Sequence, residues 1–168
     1  FVSHYFKTKR TIMHFLEELS HIFDIVAGER EIDFIVNLED TEEEVWFSPS
    51  KLERILYNLL SNAFKYTQPG GYVKLSAKLI KEEKGTFVQI SVKDNGRGIP
   101  KEAQEQIFES YYQVEKRDHR EGFGLGLSLT RSLIHMHKGE IRVESEINKG
   151  SDFIVTLNVS EDAYGPDE

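Results

Sequence analysis

The chain has 168 residues, 39% hydrophobic and 30% charged, enough for one globular domain with a core of its own. A formal net charge of -8 leaves no basic field to gather nucleic-acid phosphates, and with no cysteine the chain holds no disulfide or thiolate-bound metal. It has no apolar run long enough to cross a bilayer as a helix and no signal-peptide pattern, and it starts at Phe1 rather than Met, which reads as a piece of a longer protein.

In chain order, Ile12, Phe15, Leu16, Leu19, Ile22, Phe23 and Val26 recur at helical spacing. They predict one helix from about Thr8 to Ala27, with Gly28 as its C-cap. Ile32, Phe34, Val36 and Leu38 alternate as a strand, and a short apolar Val45-Trp46-Phe47 follows an acidic loop. Ser48-Pro49 then opens a second helix as N-cap and first helical residue, and Pro69-Gly70-Gly71 closes it. Val73 to Leu79 and Val88 to Val92 read as a strand pair around a Lys81–Gly85 hairpin loop. A glycine-rich turn from Asp94 to Pro100 leads to a short helix expected over Lys101 to Phe108. Residues 110–123 show no period and read as a long functional loop. Gly122-Phe123-Gly124-Leu125-Gly126-Leu127 enters a helix running to about His137, and two further strands carry Ile141 and Val143, then Phe153, Val155, Leu157 and Val159. The tail from Ser160 is acidic and expected to fray. Strand pairs with helices between them suggest a mixed sheet covered on one face.

The second helix holds the most informative stretch. Asn58, Asn62, Lys65 and Tyr66 share one side of it, about 100° from an apolar stripe of Leu52, Leu56, Leu59 and Ala63. One flank can seat on a sheet while the other faces a ligand. Asn oxygens suit magnesium and Lys suits phosphate, although a solvated polar face would show the same spacing. Asp94 lies where a strand meets a glycine turn. A carboxylate there could accept a hydrogen bond from an exocyclic amine, and Gly96 and Gly98 would let a flat ring approach; a plain Asp-Asn-Gly turn is the alternative. The alternating glycines before the last helix offer free N–H groups to phosphate, or form a hinge. Lys116, Arg117 and Arg120 read as a solvated loop that could reach a terminal phosphate. His135 and His137 fall on different helix faces and read as structural.

The order NLLSNAFKYT, DNGRGIP, IFESYYQ, GFGLGLSL and GEIRVESEINKGSDFIVTL strongly resembles the ATP-binding catalytic domain of bacterial sensor histidine kinases, of the GHKL superfamily. The resemblance covers the chain from about Phe15 to Val159. It implies an α/β two-layer sandwich, a mixed sheet of about five strands backed by three helices, of the Bergerat type. Residues 11–160 would be the catalytic domain, with the end of an upstream segment before it and an acidic tail or linker after residue 160. It implies Asn58 as magnesium ligand, Asn62 supporting metal and phosphates, Lys65 on phosphate and Tyr66 at the nucleotide rim. Asp94 matches the acid that reads adenine, with Gly96, Gly98 and Ile99 beside the base. Phe108 matches the start of the ATP lid, and Gly122, Gly124, Leu125, Gly126 and Leu127 its far side. The implied cofactors are ATP and Mg2+. The implied partners are a dimerisation and phosphoacceptor domain of the same protein and a downstream response regulator. The parent is implied to be a membrane-anchored homodimer at the inner membrane, with this part in the cytoplasm.

Two departures bear on activity. Gln113 stands where the family often has Arg, so that either Lys116 or Arg117 substitutes at the terminal phosphate or transfer is weak. None of the six histidines lies in an H-E-x-[RK]-T-P context, so the acceptor histidine is expected outside this chain. Within the superfamily, ATPases of the gyrase, mismatch-repair and heat-shock chaperone kind place a Glu one helical turn before the metal-binding Asn to activate water. Here that position is Arg54, and Glu53 is one residue off. A degenerate module that only docks partners would have less reason to keep Asn58, Asp94 and the lid glycines. In calorimetric titrations, Asp94→Asn is expected to weaken ATP binding far more than a substitution at Glu82. Equal effects would reduce Asp94 to turn chemistry.

Overall fold

The computed structural model describes residues 8–109 and 126–163. Its elements are β1 (Thr8–Thr11), α1 (Ile12–Ser20), α2 (Ile22–Arg30), β2 (Asp33–Leu38), β3 (Glu44–Phe47), α3 (Pro49–Tyr66), β4 (Tyr72–Glu82), β5 (Gly85–Asp94), α4 (Gly126–Met136), β6 (Glu140–Glu146) and β7 (Gly150–Asn158). Short 3-10 turns cover Lys101–Ala103, Gln106–Phe108 and Glu161–Ala163. Among the described residues no helix is long and apolar enough to cross a membrane.

Five strands form a mixed sheet in the order β2-β4-β5-β7-β6. Only β2 and β4 run parallel, because the chain between them crosses over through α3; the other neighbours are antiparallel. Alternation sorts each strand. Val73, Leu75 and Ala77 of β4, Val88, Ile90 and Val92 of β5, and Phe153, Val155 and Leu157 of β7 are buried with the helices, while Lys74 and Lys93 stand on the opposite face. Leu52, Ile55, Leu56, Leu59, Leu60, Ala63 and Phe64 of α3 complete that core. Phe64 stacks on Phe23 of α2 with centroids 5.7 Å apart and meets Phe34 of β2 edge-on at 5.3 Å, so one ring joins α2, α3 and the sheet.

The expected sandwich is present, and the differences have local causes. The first helix is two helices, so there are four rather than three. Ser20 Oγ donates to the Glu17 carbonyl at 2.6 Å, competing with the helix ladder, and the chain turns at His21. The break shifts the phase: Phe23 and Ala27 face inward, while Ile22, expected on the inner face, is 55% exposed. Gly28 lies inside α2, and Glu31 caps it in a left-handed conformation (φ 55°), with the Ile32 N–H bonded to the Ala27 carbonyl. Thr8 to Thr11, read as helix, pair with β3 as a two-stranded ribbon, in register from Thr8↔Phe47 to Thr11↔Glu44, a partnership too distant in sequence for local spacing to reveal. The segment 101–108 forms two 3-10 turns rather than a helix, and the hairpin between β4 and β5 is tighter than expected. Ser48 and Pro49 open α3 as expected, but without a side-chain cap bond. Instead the Ser48 N–H donates to Nε2 of buried His137 at 3.4 Å. His137 thus ties the end of α4 to the start of α3, whereas His135 is exposed. The long loop over residues 110–123 and the end of the tail lie outside the described residues.

Phe64→Ala is expected to destabilise the chain by about 3–5 kcal/mol in urea unfolding, because it removes a ring shared by three elements. A loss below about 1 kcal/mol would contradict this packing account.

Candidate functional site

Helix α3 positions the first group of site residues. Its apolar residues face the sheet, which leaves Asn58, Asn62 and Lys65 half-buried along one edge and Tyr66 exposed at the C-terminal end. Asn58 and Tyr66 are separated by about 12 Å at 1.5 Å of rise per residue, so the strip has the reach of an extended small ligand. Asn58 Nδ2 donates to Thr130 Oγ1 at 3.0 Å. Thr130 is fully buried on α4, and its hydroxyl donates to the Gly126 carbonyl at 2.6 Å. With its only proton used there, Thr130 can only accept from Asn58. Gly126, at the start of α4, is exposed, and an added Cβ would meet nothing within 4 Å, so packing alone does not require glycine there. Leu127 is partly buried against the core.

Asp94 is the last residue of β5, between Val73 of β4 and Ser151 of β7. It is 5% exposed, and its Oδ1 accepts the Gly96 N–H at 2.8 Å. Burial raises its pKa above the ordinary 3.8. The Gly96 and Ser151 backbone N–H groups partly offset this, and the neighbouring Asp152 charge adds to the rise. Among the described residues, the backbone N–H groups of Gly96 and Ser151 are hydrogen-bonded to it. A carboxylate buried this way is held by dipoles, and burial resists its charge.

The loop after Asp94 is wedged between α3 and the β6–β7 turn. A Cβ on Gly96 would lie 2.3 Å from the Tyr66 carbonyl oxygen. One on Gly98, at φ +71°, would lie 2.1 Å from the Glu146 carbonyl oxygen. Both glycines are therefore demanded by the chain's own backbone, a reason that motif spacing does not supply. The Arg97 guanidinium sits 4.3 Å from the Tyr66 ring centroid, and Lys65 Nζ lies 5.4 Å from it. The Ile99 N–H donates to Ser145 Oγ at 2.8 Å, and Gln104 Nε2 donates to the Ile99 and Ser145 carbonyls, each at 3.0 Å. Ser145 and Ser151 hydroxyls are 2.8 Å apart. This clamp fixes the far end of the loop.

Phe108 is buried edge-on against Phe153, with centroids 6.3 Å apart, and the Arg131 guanidinium of α4 lies 5.7 Å from its ring. It fixes the chain at the end of the described segment, beside Glu109. Gly122, Gly124, Leu125, Gln113, Lys116 and Arg117 lie outside the described residues. The structure therefore gathers two groups on α3: Asn58 with Thr130 and Gly126 in its middle, and Tyr66 with Gly96 and Asp94 at its end. Thr130, Arg97, Gln104 and Ser145 do not stand out in the sequence. Thr130 sits one turn after Gly126, but nothing local relates it to an Asn 72 residues earlier. Among the described residues no three His, Cys, Asp or Glu side chains gather as a metal cage.

The family described as histidine kinase-, DNA gyrase B-, and HSP90-like ATPase matches residues 47–161. The chain is 37% identical over 141 residues to the adaptive-response sensory kinase SasA of Synechococcus sp. (strain JA-2-3B'a(2-13)), covering 84% of this chain and 36% of that protein. It is 35% identical over 153 residues to the sensor histidine kinase WalK of Bacillus subtilis (strain 168), covering 90% of this chain and 24% of that one. The chain thus spans well under half the length of these curated relatives. Among solved structures, full-length ShkA in complex with AMPPNP superposes with a TM-score of 0.81 at 27% identity, over 92% of this chain and 31% of that one. The nucleotide-free catalytic domain of the histidine kinase ThkA gives 0.77 at 26% identity, over 92% and 97%.

The raised pKa of Asp94 has a definite sign for stability. Below the unfolded value both states hold the proton and the group contributes nothing; above the raised folded value the native state carries a buried charge that the unfolded chain would solvate. Wild type is therefore expected to lose thermal stability relative to Asp94→Asn as pH rises from about 4 toward neutrality. A difference in Tm that stays constant over that range, or has the opposite slope, would contradict the burial argument.

Proposed function

The chain belongs to the histidine kinase-, DNA gyrase B-, and HSP90-like ATPase family, and we propose that it is the ATP-binding catalytic domain of a sensor histidine kinase. In this reading residues 11–160 bind Mg-ATP. The γ-phosphate then passes to a histidine on a dimerisation and phosphoacceptor domain of the same protein, and from there to a response regulator. The parent is a membrane-anchored homodimer with this domain in the cytoplasm. The observation that carries the reading is Asp94. A carboxylate buried at a strand end, against the helix that bears Asn58, and held by backbone N–H groups, suits recognition of an adenine amino group.

The residues present fit a divalent cation. Asn58 gives its amide nitrogen to Thr130, which leaves Oδ1 as an oxygen ligand. Magnesium would neutralise charge on the phosphates. Asn62 would support metal and phosphates, Lys65 would touch phosphate, and Tyr66 would border the nucleotide. Gly96, Gly98 and Ile99, in the loop after Asp94, would lie beside the base. Phe108 would stand at the start of the ATP lid, and Gly122, Gly124, Leu125, Gly126 and Leu127 at its far side. Phosphoryl transfer asks for positioned charge more than covalent help, and the acceptor imidazole is its own nucleophile. Arg54 and Glu53 are both exposed one turn before Asn58, and the arginine stands where a hydrolase of this superfamily places its water-activating Glu.

The test is a titration with Mg-ATP, followed by addition of a helical acceptor domain. Saturable binding, little phosphate release alone and phosphohistidine on the added domain are expected. Asn58→Ala is expected to remove the magnesium-dependent part of the affinity. No saturable binding would leave a docking module, and steady phosphate release without a partner would make the chain a hydrolase.

A further inference from the structure

We propose that Thr130 is a positioning residue that sets which end of the Asn58 amide faces the cation. The inference rests on the nucleotide-site reading above and adds to it a residue on a different helix. Asn58 and Thr130 lie on α3 and α4, and their 3.0 Å hydrogen bond is the described side-chain link between these helices at the site. The two ends of an Asn amide are nearly equal in shape, so sterics alone do not choose between them. Hydrogen-bond polarity does. Thr130 Oγ1 donates its proton to the Gly126 carbonyl at 2.6 Å, within its own helix. It then presents only lone pairs to Asn58, and the amide must turn its NH2 toward Thr130 and its oxygen away. The hydroxyl is completely buried, so water does not compete for either bond.

Removal of that acceptor has a specific consequence. Valine has the shape of threonine without the hydroxyl. With Thr130→Val the NH2 of Asn58 loses its partner and the amide can rotate by half a turn. A population of molecules then presents N–H groups, which repel a cation, where Oδ1 should be. Affinity for the metal-bound ligand falls, while contacts to the base and sugar remain. A hydroxyl that merely back-bonds within its helix, as buried threonines commonly do, would not link to magnesium at all.

The experiment titrates AMPPNP, with magnesium and with EDTA, into wild type, Asn58→Ala, Thr130→Val, Thr130→Ala and Thr130→Ser. Thr130→Val is expected to weaken binding roughly three- to tenfold with magnesium, the size of one hydrogen bond, and to leave affinity in EDTA unchanged. Thr130→Ala, should the valine variant fold poorly, is expected to shift in the same direction, and Thr130→Ser, which keeps the hydroxyl, to restore the magnesium response. If Asn58→Ala loses that response while Thr130→Val and Thr130→Ala keep it, or if the Thr130 variants weaken binding equally in EDTA, the inference is overturned. If wild type itself shows no magnesium response, the nucleotide-site reading fails first.

Discussion

Helix α3 must satisfy two surfaces at once, and the rest of the molecule follows from how it does so. Its apolar residues, from Leu52 to Phe64, form the centre of the core against β4, β5 and β7. Because about 100° separates successive residues, the same helix cannot also bury Asn58, Asn62 and Lys65 there. They remain on its flank, half-covered, where α4 closes over Asn58 through Thr130. A rigid core element thereby carries the polar groups, and the energy that holds the core also holds the site in register. Phe64 at one end and the His137–Ser48 bond at the other fix the helix along its axis.

The end of β5 is built differently. Asp94 is buried, and the loop beyond it is pressed so tightly against α3 and the β6–β7 turn that Gly96 and Gly98 have no room for a side chain. Such an arrangement opposes stability locally, since a carboxylate in this setting resists ionisation. The surrounding structure over-determines it: Ser145, Ser151 and Gln104 clamp the loop on one side, and the Arg97–Tyr66 contact does so on the other. A buried acid maintained at this expense fits a group kept for a ligand rather than for folding.

Many of these features are legible in the amino-acid sequence. Period-two strands β4, β5 and β7 and the amphipathic α3 declare themselves because each has one face that must be buried. The motif order leads to the family, and Asn58, Asp94 and Phe108 stand out by their places on a helix face, at a strand end and before a long loop. What escapes sequence reasoning is non-local or competitive. The α1–α2 break falls where one serine hydroxyl takes a helical carbonyl, and β1 is paired with the distant β3. Gln104, between the two 3-10 turns near Phe108, reaches back to the Ile99 carbonyl, and Thr130 meets Asn58 across two helices far apart in sequence. Gly96 and Gly98 do mark places of close approach, and the protein's own backbone approaches there.

The central claim is that the Asn58 flank and the Asp94 pocket act on one ligand. It is tested most directly by following, in the isotope-labelled chain, the side-chain NH2 signal of Asn58 and the backbone N–H of Gly96 during a single nuclear magnetic resonance titration with Mg-AMPPNP. The account predicts that both signals shift together along one binding isotherm. Two different midpoints, or a shift at only one of them, would contradict it.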